Sequence, residues 1–153
     1  MKKEDKKLFL KDLTARLTYG VKIALKNNGT YHHYNVAKKG DVTIDRLQGF
    51  TGAGNYFSIC HDNPRDWDWG ENLIDIEDIK PYLFPLSSMT EEQKEEYRKV
   101  CELDTEILEK HPMDGSPFPA MYNSQDWLDA NHFDYRGLIK KGLAIDATNK
   151  NIY

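Results

Sequence analysis

The sequence lacks several features that would point to a membrane protein or a common enzyme class. No apolar run approaches the roughly 20 residues that span a bilayer, and the basic start lacks the apolar core of a signal peptide. A Gly-x-Ser-x-Gly elbow, a Walker loop and a His-Glu-x-x-His pair are all missing. An enzyme is therefore the least supported class, since no base, nucleophile and oxyanion donor can be placed together.

Cysteine is scarce, and the histidines do not have metal-ligand spacing. Cys60 and Cys101 form no Cys-x-x-Cys pair, so we expect two unpaired thiols and a cytoplasmic location. His32 and His33 are adjacent, and neighbours in a strand point to opposite faces, so they are poorly placed to share one ion. We expect no metal and no cofactor.

The 153 residues match one ordinary domain, with 39% hydrophobic and 30% charged residues. Charge is distributed unevenly: residues 1–61 hold 11 Lys and Arg against 5 Asp and Glu, whereas 62–109 hold 5 against 15. The asymmetry indicates a basic and an acidic face. Two solvated faces that partly neutralise each other, across a homo-oligomer contact, are the favoured interpretation.

The first half predicts a helix followed by short strands. Leu10, Leu13 and Leu17 recur at helical spacing, and Gly20 suits the positive φ of a helix exit. Tight turns separate five strand-like runs, which are 21–25, 30–37, 42–47, 56–60 and 73–76. We expect Pro81 to end the sheet, because proline cannot donate to a ladder. Without crossover helices, the pattern predicts an antiparallel sheet or small barrel of about five strands.

The second half predicts helices. Thr90 and Gln93 form a capping box for a helix that runs to about Glu109, with an almost wholly acidic outer face. Ser124 can cap a short helix over 125–131, and Asp134 can cap another over 135–141.

The fold class is therefore α+β, with one N-terminal helix and two to three C-terminal helices. We expect a single domain, 1–153, made of a helix plus β-meander (about 1–79), a helical part (about 90–145) and a linker-like loop (111–122).

Three stretches carry a resemblance. They are 80–97, which opens Lys-Pro-Tyr-Leu-Phe-Pro-Leu-Ser-Ser-Met, 131–145, which opens Asn-His-Phe-Asp-Tyr-Arg-Gly-Leu, and, more weakly, 13–21. Together they resemble small accessory proteins carried by phages and integrated elements of gut bacteria. The resemblance implies the cytoplasm of an infected or lysogenic bacterium and supplies no catalytic residues. Such accessory proteins often counter host defence, by binding a host protein or capturing a nucleotide signal.

Two segments carry candidate ligand-binding residues. Trp67 and Trp69, two apart in an extended loop, face the same way and could close over a base or sugar, or could cover the open end of the barrel. Arg136 could fork a phosphate, with Lys140 nearby, while Tyr135 stacks on a base. The alternative, which we favour, pairs Arg136 with Asp134 or with the acidic helix.

The leading hypothesis is a non-enzymatic phage or prophage accessory protein that binds a host-derived ligand, such as a nucleotide immune signal. One alternative is an inhibitor whose acidic helix binds a host defence protein. Another is a single-stranded nucleic-acid-binding module, in which Tyr31, Tyr34 and Phe57 stack on bases. Nucleic acid is the less favoured partner, and no membrane is expected.

Overall fold

The computed structural model describes residues 1–26, 42–50, 56–60, 74–110 and 123–153, which form an α+β fold. The helices are α1 (Lys3–Arg16), α2 (Glu91–Lys110) and α3 (Asn123–Ala130). The strands are β1 (Lys22–Lys26), β2 (Val42–Phe50), β3 (Tyr56–Cys60), β4 (Ile74–Asp75), β5 (Ile79–Leu83) and β6 (Ile145–Asp146). Within the described residues, no helix is long and apolar enough to cross a membrane.

The strands form one mixed sheet in the order β4-β3-β2-β1-β5-β6. Neighbours pair antiparallel except β5 and β6, which run parallel and match Tyr82 with Ile145. The α+β class and the N-terminal helix are confirmed. The predicted five-stranded antiparallel sheet or barrel is not shown, because the sheet ends in a parallel pair and β4 and β6 lie at opposite ends of its order. The predicted strand over 30–37 lies outside the described residues.

Pro81 does not end the sheet, so that prediction is wrong. It lies in the middle of β5 and pairs with Ile23 of β1. On the other side of β5, β6 pairs only with Tyr82 and Leu83. Pro81 therefore has one ladder neighbour, the situation in which a strand tolerates a residue without an N–H.

One face of α1 packs against the sheet. Phe9, Asp12, Leu13 and Arg16 are buried at the i, i+3, i+4 and i+7 spacing of a single stripe. After a 3₁₀ turn, Gly20 ends the helical segment at φ 64°, which confirms the predicted exit. The core that α1 covers consists of Phe9, Leu13, Val21, Ile23, Leu25, Ile76, Ile79, Leu83, Leu138 and Ala144.

The predicted helix over 135–141 is wrong, because this segment forms turns. Gly137 has a φ of 73°, in the left-handed region that interrupts a right-handed helix. The Asp134 carboxylate instead accepts hydrogen bonds from the backbone N–H groups of Leu138 and Ile139, at 2.7 and 2.8 Å. Asp134 thus accepts hydrogen bonds from backbone N–H groups, as a helix cap does, but the segment that it stabilises is a turn and not a helix.

The capping box at the start of α2 is confirmed, whereas α3 is capped from another helix. Thr90 N–H donates to Gln93 Oε1 at 2.9 Å, and Gln93 N–H donates to Thr90 Oγ1 at 3.2 Å. At α3, Asp104 of α2 accepts the backbone N–H groups of Asn123 and Ser124, at 3.1 and 2.9 Å. Asp104 therefore fastens the start of α3 to α2.

We expect Asp104→Ala to lower the free energy of unfolding by about 1–2 kcal/mol, because it removes the cap of α3. Burial opposes the charged form of Asp104, but the hydrogen bonds from Ser124 and Asn123 outweigh it and hold the pKa below its ordinary range. A depressed folded-state pKa makes the contribution full at neutral pH and lost as the pH falls through that pKa. The difference between protein and variant should therefore shrink in acid.

Urea denaturation at neutral and acidic pH measures this difference. Asp126→Ala is the matched control, since it removes an exposed carboxylate from the first turn of the same helix. Equal losses in the two variants would contradict a capping role for Asp104.

Candidate functional site

A cleft of about 340 Å³ lies where the end of β5 meets the end of α3 and the segment 148–153. This volume is at the lower end of the range typical of small-molecule sites. The residues that line it are Phe84, Ser88, Gln93, Ala130, Asn131, His132, Phe133, Thr148, Asn149 and Tyr153. None of these described residues is Asp, Glu, Lys or Arg, so their side chains include no acidic or strongly basic group.

Main-chain hydrogen bonds join two walls of the cleft. Phe84 N–H donates to the carbonyl of His132 at 2.9 Å, and Asp134 N–H donates to the carbonyl of Phe84 at 2.8 Å. Phe84 and Phe133 therefore form an isolated parallel bridge that continues the line of β5. The segment after α3 is thus fixed against the end of the sheet.

A continuous row of aromatic rings begins at Trp127, which does not line the cleft, and continues through lining residues to Tyr153. Trp127 stacks on Phe133 at 5.8 Å between centroids and 11° between planes, and Phe133 contacts Phe84 at 6.2 Å. Tyr153 continues the row at 5.7 Å from Phe84 and stacks on His132 at 4.2 Å and 16°. Phe133 is only 2% exposed, so Phe84 and Tyr153 are the rings of this row that can offer flat surface to a planar ligand in the cleft.

Three polar side chains at the cleft each use one end to bind the backbone. Ser88 Oγ donates to the carbonyl of Pro85 at 2.7 Å, and Gln93 Oε1 accepts from Thr90 N–H at 2.9 Å. Asn131 Nδ2 donates to the carbonyl of Trp127 at 2.9 Å. Each bond fixes the orientation of the side chain, so the polar groups are set before a ligand arrives.

His132 is the most unusual residue of the cleft. It is only 8% exposed, and its Nδ1 atom is buried without a hydrogen-bond partner. Burial first, and the positive charge of Arg16 second, lower the pKa of His132 to about 4, so the imidazole is neutral at pH 7. Its φ is 58°, and Asn149, also in the cleft, has a φ of 63°. Sparsely populated backbone conformations of this kind concentrate at functional sites.

Behind the cleft, a buried charge cluster consists of Asp12, Arg16, Asp129 and Arg136. Arg16 is 0% exposed and binds Asp12 through two nitrogens, Nε at 2.9 Å and Nη2 at 3.1 Å. Arg136 Nη1 donates to Asp12 at 2.8 Å and to Asp129 at 3.1 Å. Arg16 Nη2 also donates to the carbonyl of Phe133 at 2.7 Å, so the cluster holds the cleft wall in place.

The residues predicted to bind a ligand do not meet in this cleft. Tyr135 lies over the guanidinium of Arg136 at 4.2 Å, and its hydroxyl donates to Asp129 at 3.1 Å, so both residues are occupied inside the protein. Arg136 is ion-paired, as the favoured alternative predicts. Its partners, however, are Asp12 and Asp129, and not Asp134 or the acidic helix. Lys140 is exposed on a neighbouring turn. Trp67 and Trp69 lie outside the described residues.

Sequence reasoning missed the cleft, although Asn131 and His132 lie in a stretch chosen for its resemblance. The sequence predicts Gln93 only as part of a helix cap, whereas the structure also places this residue in the lining of the cleft. The buried cluster had a usable signal, since Asp12 and Arg16 share a helical stripe with Phe9 and Leu13. A charged pair four residues apart on an apolar face predicts a buried ion pair.

In the ranges the structure describes, no group of three or more His, Cys, Asp or Glu side chains is arranged to hold a metal ion. The cleft itself offers stacking surface and hydrogen bonds. Comparison of the chain with family models, curated proteins and solved structures finds no match.

Proposed function

We propose that the protein is a non-enzymatic binder of a small planar ligand, of the nucleobase or nucleoside type, which it holds in the cleft. The observation that carries the proposal is a cleft of about 340 Å³ without charged side chains, which combines the rings of Phe84 and Tyr153 with pre-oriented polar side chains. Aromatic surface supplies stacking energy of about 1–3 kcal/mol per base, and fixed polar groups supply orientation.

In this proposal the protein recognises the base of a nucleotide, whereas the sequence predicts recognition of both phosphate and base. Arg136 and Tyr135, expected to take phosphate and base, are held by Asp12 and Asp129. The cleft has no cation among its described lining residues to pair with a phosphate. A nucleoside should therefore bind at least as tightly as its 5′-monophosphate. In a phage or prophage setting, which the resemblance implies, such a binder would capture a host nucleotide signal by its base.

The acidic helix gives less support to a protein-binding inhibitor. Of the residues in α2, eight are acidic and four are basic. Lys94 pairs with Glu91 at 2.6 Å, and Arg98 pairs with Glu95 and Glu102. Helical pairs of this kind are typical of a solvated helix. For the nucleic-acid alternative, Tyr31 and Tyr34 lie outside the described residues, as does the side chain of Phe57.

A nucleoside titration followed by two-dimensional NMR tests the proposal. We expect adenosine, cytidine, guanosine or uridine to shift the side-chain amide signals of Gln93 and Asn131 and the backbone signals of His132 and Asn149, in a saturable manner. These residues line the cleft, so their signals report occupancy directly.

Ala130→Arg should block this binding. Ala130 is exposed at the cleft, at the end of α3, where a cation suits the helix dipole and a long side chain can enter the opening. Gln125→Arg is the matched control, because Gln125 is exposed on the same helix and does not line the cleft. The absence of saturable shifts with all four nucleosides, or equal binding by the two variants, would overturn the proposal.

A further inference from the structure

The amide of Gln93 keeps its donor end available for a ligand. Its Oε1 accepts the Thr90 N–H at 2.9 Å, as the third residue of a capping box does. That bond fixes which end of the amide is which, and leaves the two N–H groups of Nε2 for other partners. Gln93 is half-buried and is one of the residues that line the cleft.

The amide of Asn131 is fixed in the opposite sense. Its Nδ2 donates to the carbonyl of Trp127 at 2.9 Å, which leaves Oδ1 as the end that can accept. The backbone N–H of Asn131 also donates to Trp127, at 3.0 Å, so the residue is held from two sides. Asn131 therefore offers the cleft an acceptor with a set direction.

We propose that the cleft recognises a planar ring through an amide or amidine edge, which presents an acceptor and a donor side by side. This inference rests on the proposed function and names its ligand class. Gln93 Nε2 donates to the ring acceptor, and Asn131 Oδ1 accepts from the neighbouring N–H. Adenine presents such an edge as a ring nitrogen beside its amino group, and uracil as a carbonyl beside its ring N–H.

Ser88 adds a second acceptor to this arrangement. Its hydroxyl hydrogen is directed to the carbonyl of Pro85 at 2.7 Å, so its oxygen faces other partners through lone pairs. The cleft therefore offers one fixed donor, two fixed acceptors and the rings of Phe84 and Tyr153. A ring that carries only acceptors would leave Asn131 Oδ1 without a partner, which makes the edge selective.

The test compares two ligands that differ by one donor. Purine riboside is adenosine without the 6-amino group, so it keeps the ring acceptors, loses the donor and adds no bulk. We expect it to bind about tenfold more weakly than adenosine by isothermal titration calorimetry, the cost of leaving the Asn131 acceptor unpaired beside the ring.

Gln93→Glu tests the other half of the edge. Glutamate serves the capping box as well as glutamine does, so the N-terminus of α2 should stay intact. The Nε2 donor, however, is replaced by a carboxylate oxygen, which would face the ring acceptor of the ligand. We expect adenosine binding to weaken at least about tenfold. Gln125→Glu adds the same charge on an exposed residue of α3 outside the cleft and should leave the affinity unchanged.

The outcomes separate this inference from the proposed function. If no nucleoside binds at all, the proposed function fails, and this inference fails with it. If adenosine binds but purine riboside binds equally well, or Gln93→Glu binds as tightly as Gln125→Glu, the amide-edge inference is overturned while a ring-binding cleft stands.

Discussion

Arg16→Met should lower the free energy of unfolding by about 3–5 kcal/mol, the range observed when one partner of a buried ion pair is removed. The Arg16 side chain is completely buried, and it binds Asp12 through Nε and Nη2 and lies 3.2 Å from Asp129. Arg136 alone would then face two buried carboxylates, because both Asp12 and Asp129 stay in place. Urea denaturation of protein and variant measures the loss.

Lysine should not rescue this position. The guanidinium of Arg16 also donates to three main-chain carbonyls, those of Leu128 and Asp129 at 3.4 Å and of Phe133 at 2.7 Å. A single ammonium cannot reproduce the planar fork that serves Asp12 and these carbonyls together. Arg16→Lys should therefore remain less stable than the unchanged protein.

Arg98→Met is the matched control for this prediction. Arg98 also binds two carboxylates, those of Glu95 and Glu102, but its side chain is 56% exposed. Surface pairs contribute little to stability, because water screens them. If Arg16→Met cost no more than Arg98→Met, the buried charge cluster would not be the stabilising feature that its burial indicates.

Local patterns in the sequence predicted local structure well. Thr90 and Gln93 lie three residues apart, and the capping box that this spacing predicts is present. Tyr56–Cys60 is a strand, as its composition predicts, and α2 begins at Glu91, directly after the predicted N-cap Thr90. Each of these features depends on side chains within a few positions, so the chain itself carries the information.

Features that depend on distant residues were not predictable in the same way. Arg136 and Asp12 are 124 positions apart, and no local pattern indicates that they meet. Pro81 is allowed in β5 only because β6, from the other end of the chain, stops short of it. The cleft joins residues near 84–93, 130–133 and 148–153, so its existence follows from the packing of three separate segments.

The stability of the protein should fall as the pH is lowered from about 6.5 to about 4, and His132 should account for about 2–3 kcal/mol of that loss. The folded-state pKa of His132 is lowered to about 4 by burial and by Arg16. Between about pH 4 and pH 6.5, the His132 imidazole is therefore protonated in the unfolded chain and neutral in the folded protein. The free energy of unfolding therefore rises with pH across this window. The contribution of His132 is fully present above about pH 6.5 and is lost as the pH falls towards about 4. Water in the cleft screens part of the effect.

His132→Asn isolates this contribution, because asparagine tolerates the φ of 58° and does not titrate in the window. The variant also loses the stack on Tyr153, so its stability at pH 7 should be lower, but that loss does not depend on pH. Urea denaturation at pH 7 and at pH 4.5 measures the free energy of unfolding at each pH. Its decrease between pH 7 and pH 4.5 should be smaller for His132→Asn than for the unchanged protein. Parallel pH dependence would mean that His132 binds its proton as readily when folded as when unfolded. The buried Nδ1 without a partner argues against that result, because a proton placed there would meet no acceptor.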